Sequence, residues 1–196
     1  MITKTIDGQS YEVFSADEIN AHLFILAKKI ISSGEKYDRV VALARGGVSI
    51  AQSLSDLIGV RKISVIQSEM YSGVYETKSP IITQPLAANI KGERILLIDD
   101  LADSGETLLF AKQYLSAHGP AMVATATLSS KPWTKITPDF YELHSDAWVI
   151  FPWEVRETIE TLTDIWEKKG MKVEERVKNL RTLGYSKDQI ETFHHS

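Results

Sequence analysis

Arg94-Ile-Leu-Leu-Ile-Asp-Asp-Leu-Ala-Asp-Ser-Gly-Glu-Thr107 is the stretch that decides the fold class of this chain. Ile95 to Ile98 is an apolar run short enough for a strand and apolar toward both faces, which suits a central parallel strand covered by helices on either side. Asp99 and Asp100 follow at once, then Asp103, Ser104, Gly105, Glu106 and Thr107, and then Leu108, Leu109, Ala111 and Leu115 at helical spacing. Strand, acidic turn and helix start in succession mark the place where an open α/β sheet puts its ligands. The N–H groups of a helix start favour phosphate, and Gly105 allows close backbone approach. The acids would repel a phosphate, so the ligand must also carry hydroxyls, a metal ion or a developing positive charge.

Upstream, Ser15 and Glu18 form a capping box ahead of Ile19, Leu23, Leu26, Ala27 and Ile30, a helix that Gly34 ends. Val40 to Ala44 is a second apolar strand, closed by Arg45-Gly46-Gly47, and a helix is expected over 48–57. Ile63 to Ile66 is a third strand. This alternation argues for a right-handed, mostly parallel sheet. Residues 67–92 are turn-rich and too long for a plain linker, so a lid or a β excursion is expected there. Downstream, Met122 to Leu128 and Ala147 to Phe151 read as β segments. Beyond 155 the chain turns amphipathic and polar, with helices expected on the stripe Ile159, Leu162 and Ile165, then around 173–180 and 187–193. The expected organisation is a domain at 1–154, with its core at about 37–130 and a hood including 131–154, followed by a helical extension at 155–196.

With 196 residues, 43% hydrophobic and 24% charged, the composition is that of a globular domain with a real core. A net charge of -4 gives no bulk electrostatic case for nucleic acid or an anionic membrane, so an anionic ligand must be held by local groups. The absence of cysteine excludes disulfides, thiolate catalysis and zinc-thiolate sites. No signal-like run opens the chain, and the default expectation is a cytoplasmic protein.

The ordered pattern of four apolar residues followed by D-D-x-x-D-S-G-x-T closely resembles the phosphoribosyl-diphosphate (PRPP) signature of type I phosphoribosyltransferases. That resemblance implies roles residue by residue. Asp99 and Asp100 hold the ribose hydroxyls, directly or through Mg²⁺, and Asp103, Ser104, Gly105, Glu106 and Thr107 cradle the 5-phosphate. Asp103 is the candidate general acid/base. Glu106 stands where the family is often small or glycine, so its side chain is expected to point away from the phosphate. Arg45, Gly46 and Gly47 resemble the diphosphate-binding loop, with a non-proline cis peptide implied at Ala44–Arg45.

Lys131-Pro-Trp133 and Asp146-Ala-Trp148-Val-Ile-Phe-Pro-Trp-Glu154 are similar to the base-binding hood of the xanthine-guanine branch. By that resemblance Trp148 stacks on the purine, Val149 meets the base edge through its backbone, and Lys131 donates to the oxygen at C6. A lysine has only donors, which favours a 6-oxopurine over adenine. Glu154, usually aspartate in the bacterial enzymes, would sit near metal and diphosphate with Asp99 and Asp100. Trp133 and Trp153 read as packing residues, and Tyr71-Ser72 lies where the family has its mobile catalytic loop, in reversed order.

The resemblance thus implies a type I phosphoribosyltransferase fold and a Mg²⁺-dependent purine salvage enzyme. It would act on PRPP and guanine, xanthine or hypoxanthine, as a homo-oligomer, dimer or tetramer. Two alternatives stay open: adenine as the base, and a non-catalytic regulator that senses PRPP or nucleotides. A PRPP-making diphosphokinase would need an ATP-binding half for which there is no room.

Overall fold

In the computed structural model residues 1–72 and 78–194 are described, with the backbone alone for 71, 72, 78 and 79. In chain order the elements are β1 (Ile2–Ile6), β2 (Gln9–Val13), α1 (Ala16–Ser32), β3 (Arg39–Ala44), α2 (Gly46–Leu57), β4 (Lys62–Ser72), β5 (Lys78–Gln84), β6 (Arg94–Ala102), α3 (Glu106–Ser116), β7 (Met122–Ser130), β8 (Phe140–His144), β9 (Trp148–Ile150), α4 (Val155–Lys168), α5 (Val173–Thr182) and α6 (Lys187–Phe193). They fall into two compact units, Asn20–Asp146 and Met1–Ile19 with Ala147–Ser196.

The larger unit carries a sheet in the order β5-β4-β3-β6-β7-β8. Every neighbouring pair is parallel except β4 with β5. Alternate residues of a strand face opposite sides, and here both sides are covered. Val41, Leu43, Ile95 and Leu97 pack with Leu108, Ala111 and Leu115 of α3. Between them Val40, Ala42, Leu96 and Ile98 are equally buried, and α2 packs against β3 and β6. Burial on both faces is why β6 reads as an uninterrupted apolar run.

Two expectations are sharpened here. The strand does not end at Ile98: Asp99 pairs with Thr127 and Ala102 with Ser130, so the two acids lie on β6 and not in a turn after it. The apolar run marks only where both faces are buried, while the ladder continues as long as β7 runs beside it. The 67–92 connection is mainly a β excursion, since β4 continues to Ser72 and β5 returns antiparallel, with a register shift between Gln67 and Ser68. The side chains of Tyr71 and Ser72 lie outside the described residues, as does the segment 73–77.

The second unit is a three-stranded sheet in the order β1-β2-β9 with α4, α5 and α6. β1 and β2 form a hairpin whose turn residues Asp7 and Gly8 both have positive φ, 51° and 76°, the conformation that matches strand twist in a two-residue turn. β9 joins β2 in parallel. Ile6, Tyr11 and Ile150 form one core with Ile159, Leu162, Trp166, Leu180, Leu183, Tyr185 and Ile190. Trp166, 1% exposed, fills the place expected for Ile165, which is only partly buried. This unit draws on both flanks of the larger one, because β9 pairs with β2 and the helices pack into the same core. The capping box forms as expected: Ser15 N–H donates to Glu18 Oε2 at 2.9 Å, and Glu18 N–H to Ser15 Oγ at 3.3 Å.

Candidate active site

β3 and β6 are parallel neighbours, and the chain leaves them in opposite directions: β3 is followed by β4 on one side, β6 by β7 on the other. A crevice at the carboxyl ends of such a strand pair is the standard ligand position in an open α/β sheet. Here it is a cleft of about 200 Å³, lined by Leu43, Ala44 and Arg45 at the end of β3 and by Asp99, Leu101, Asp103, Ser104, Gly105, Thr107 and Leu108 along β6, α3 and the turn between them. Arg45 and Asp103 are exposed within it. The Ala44–Arg45 peptide is cis, as the resemblance implied.

The glycines are required by close approach. A Cβ on Gly46 would lie 2.2 Å from the carboxylate oxygens of Asp100, and one on Gly47 2.3 Å from the Ile98 carbonyl. The start of α2 is therefore seated directly on the end of β6. Asp100 is only 8% exposed, and Asp99 Oδ1 accepts from the Asp100 N–H at 3.0 Å. Burial, and then the neighbouring charge of Asp100, push the Asp99 pKa well above the ordinary carboxylate value, against the pull of the Asp100 and Gly47 N–H donors. Two crowded carboxylates of this kind have a use for a cation. Among the described residues no group of three or more His, Cys, Asp or Glu could hold a metal ion by itself.

At the start of α3, Gly105 takes φ 76°, and a Cβ there would meet Thr134 Oγ1 at 2.4 Å and Ile136 Cγ2 at 2.9 Å. Gly105 stands at the N-cap, and Ser104 Oγ accepts from Glu106 N–H at 3.3 Å. The Glu106 side chain pairs with Lys135 of a neighbouring loop.

The sequence marked out Lys131-Pro-Trp133 but not how its loop attaches beside this turn. Lys131 N–H donates to the Ala102 carbonyl and Lys135 N–H to the Ser104 carbonyl, each at 2.9 Å, and Trp133 Nε1–H donates to Asp103 Oδ1 at 2.9 Å. Trp133, expected as packing, is 55% exposed. The available signal was chemical: an indole N–H two residues after Lys131 and close to a polar site seeks an acceptor. Lys131 itself is buried, with its ammonium 5.7 Å from the Trp133 ring centre.

The remaining expected residues belong to the second unit. Trp148 stands on β9, half-buried, with its ring centre 6.2 Å from that of Tyr11. Val149 is buried beside it and opposite Glu12 in the ladder. Glu154 precedes α4, and its carboxylate accepts from the Phe151 N–H at 3.4 Å. Trp153 stacks on Phe151 at 4.9 Å between ring centres, which agrees with a packing role.

Comparison with known proteins agrees with this geometry. Residues 14–159 match the phosphoribosyl transferase domain family. The xanthine-guanine phosphoribosyltransferase of Gluconobacter oxydans is 32% identical over 147 residues, covering 74% of this chain and 84% of that protein. The crystal structure of a purine phosphoribosyltransferase from Pyrococcus horikoshii is similar with a TM-score of 0.67 and 31% identity, over 73% of this chain and 93% of that one. A Neisseria gonorrhoeae protein solved with bound ppGpp is similar with a TM-score of 0.67 and 25% identity, over 74% and 89%. With a family model matched over most of its length and a relative of 32% identity, the chain belongs to the phosphoribosyl transferase domain family.

Proposed function

We propose that this protein is a purine salvage enzyme that transfers the 5-phosphoribosyl group of PRPP to N9 of guanine, xanthine or hypoxanthine and releases diphosphate. The observation that carries this reading is that Arg45 stands in one cleft with Asp99, Asp103, Ser104, Gly105 and Thr107. Anion-binding groups flank acids there, as a ligand with two phosphate ends and a sugar between them requires. The purine identity rests on Lys131 and on the similarity to the Gluconobacter and Pyrococcus proteins.

In the reaction the bond from ribose C1 to the diphosphate oxygen breaks, and a bond from C1 to purine N9 forms. Positive charge grows on the ribose as the leaving group departs. Backbone N–H groups at the start of α3, with Ser104 and Thr107, hold the 5-phosphate. Arg45 and the start of α2 hold the diphosphate. Asp99 and Asp100 orient the ribose and favour its positive charge. Asp103 takes the proton that the base loses. Lys131 donates to the oxygen at C6, and we assign Trp148 to stacking and Val149 to the base edge.

The crowding of Asp99 and Asp100 fits Mg²⁺, which needs only one or two carboxylates when substrate oxygens supply the rest. Asp99 and Asp100 would hold it, with Glu154 as a further proposed contact, and when bound it neutralises the departing diphosphate.

Purified protein with PRPP, Mg²⁺ and each of guanine, xanthine, hypoxanthine and adenine tests the proposal, with nucleotide formation expected for the 6-oxopurines. A second reading, nucleotide sensing without turnover, draws on the ppGpp bound by the Neisseria protein. Tight nucleotide binding with no turnover of any base would favour it. Lys131→Met should lower kcat/KM for 6-oxopurines by about 100-fold, the cost of losing a charged hydrogen bond to the base. An equal loss with adenine would remove Lys131 from base choice.

A further inference from the structure

Trp133 has no place in the reaction as derived so far, yet its geometry is specific. Its indole N–H donates to Asp103 Oδ1 at 2.9 Å, and its ring lies 5.7 Å below the buried Lys131 ammonium. Its loop is fixed to the phosphate loop at both ends. Lys131 N–H bonds the Ala102 carbonyl, Lys135 N–H bonds the Ser104 carbonyl, and the Lys135 ammonium pairs with Glu106. Packing at Gly105 continues the attachment, with Thr134 and Ile136 occupying the space where a side chain would stand.

We propose that Trp133 is a positioning residue for Asp103, one that aims the carboxylate at the purine proton and ties it to the lysine reading the base. The inference rests on the role proposed above for Asp103. That residue is exposed and lies in the connection between β6 and α3, where its short side chain has several rotamers open to it. One N–H···O bond selects among them and occupies Oδ1, so proton transfer falls to Oδ2. Indole suits the task because it is a donor only. It can anchor a carboxylate without competing for the proton that the carboxylate must accept. The ring itself is held under Lys131 by its attraction to the cation, so the residue that reads the base oxygen and the residue that takes the base proton share one support.

The test measures steady-state turnover of the full chain with PRPP, Mg²⁺ and its best base, for wild type, Trp133→Phe, Asp103→Asn and the double variant. Trp133 is half-exposed, so its replacement opens no core. Trp133→Phe is expected to lower kcat about tenfold, a fraction of the ~10²–10⁴ that a positioned proton-transfer group supplies, and to leave the KM for PRPP within about twofold. In the Asp103→Asn background the same change should cost nothing further, since a residue acting only through Asp103 loses its effect with it. Trp133→Gln, which restores an N–H donor but not the ring held under Lys131, should recover part of the loss. Unchanged turnover in Trp133→Phe, an equal fold loss in both backgrounds, or equal loss in the Phe and Gln variants would each overturn the inference. Asp103→Asn turning over like wild type would instead remove Asp103 from the reaction, whatever Trp133→Phe does.

Discussion

Asp99 carries a cost that the fold alone does not explain. Burial and the Asp100 charge raise its pKa in the folded state above the unfolded value, so its favourable share of stability is complete only below the unfolded pKa and is lost as pH rises. At neutral pH, Asp99→Asn should therefore stabilise the ligand-free protein while damaging turnover. Relief of about 1 kcal/mol corresponds to a rise of ~2–4 °C in Tm for a chain of this size. A thermal melt without Mg²⁺ or PRPP checks this, and a lowered Tm would refute the crowding argument. The acids were legible in the sequence because a polar cluster straight after an apolar strand has few purely structural uses. Trp133 was not, because a tryptophan after Lys-Pro reads equally well as packing, and only the fold brings its N–H to Asp103.

At the scale of elements, the seating of α2 on β6 sets a steric limit. Gly46→Ala would place a carbon 2.2 Å from the Asp100 carboxylate, so either helix or acid must shift. The expected result is a loss of about 1–3 kcal/mol in stability and a KM for PRPP raised at least tenfold. Urea unfolding with steady-state kinetics measures both, and a variant that binds PRPP normally would show that the seating is loose. At the other end of the strands, Glu93 binds Arg39 at 2.7 Å and Lys62 at 2.8 Å, and these cations hold its pKa down at about 2. A depressed carboxylate contributes its stability above the unfolded pKa and loses it as pH falls through the folded value. Glu93→Gln should thus destabilise at pH 7 by about 1–2 kcal/mol, with the difference from wild type fading between pH 4.5 and about 2. Most elements of the larger unit were readable, since alternation of apolar strands with helices is a strong periodic signal. The β1–β2 hairpin was missed because its strands are short, largely polar and bury few of their residues, and the extension of β6 because ladder bonds leave no trace in hydropathy.

For the whole molecule, the helices beyond residue 155 are no loose appendage to their unit. They supply Trp166, Leu180 and Ile190 to the core that also holds Ile6, Tyr11 and Ile150. Leu180→Ala, at a fully buried position, should cost ~2–5 kcal/mol, and a cost below 1 kcal/mol would mark the extension as dispensable. The sequence revealed the helices by periodicity but not their attachment, because contacts between distant segments carry no local pattern. One consequence concerns synthesis. β2 pairs in parallel with β9, so the earlier strand waits until the whole of the larger unit has been made before its partner follows. The contiguous segment Asn20–Asp146 can close as soon as it has been made, whereas the unit built from the segments on either side of it must form later. Until then the open edge of the hairpin and the uncovered Ile6 and Tyr11 are surface that a chaperone would recognise, and protease resistance of nascent chains should therefore appear first in the middle of the sequence.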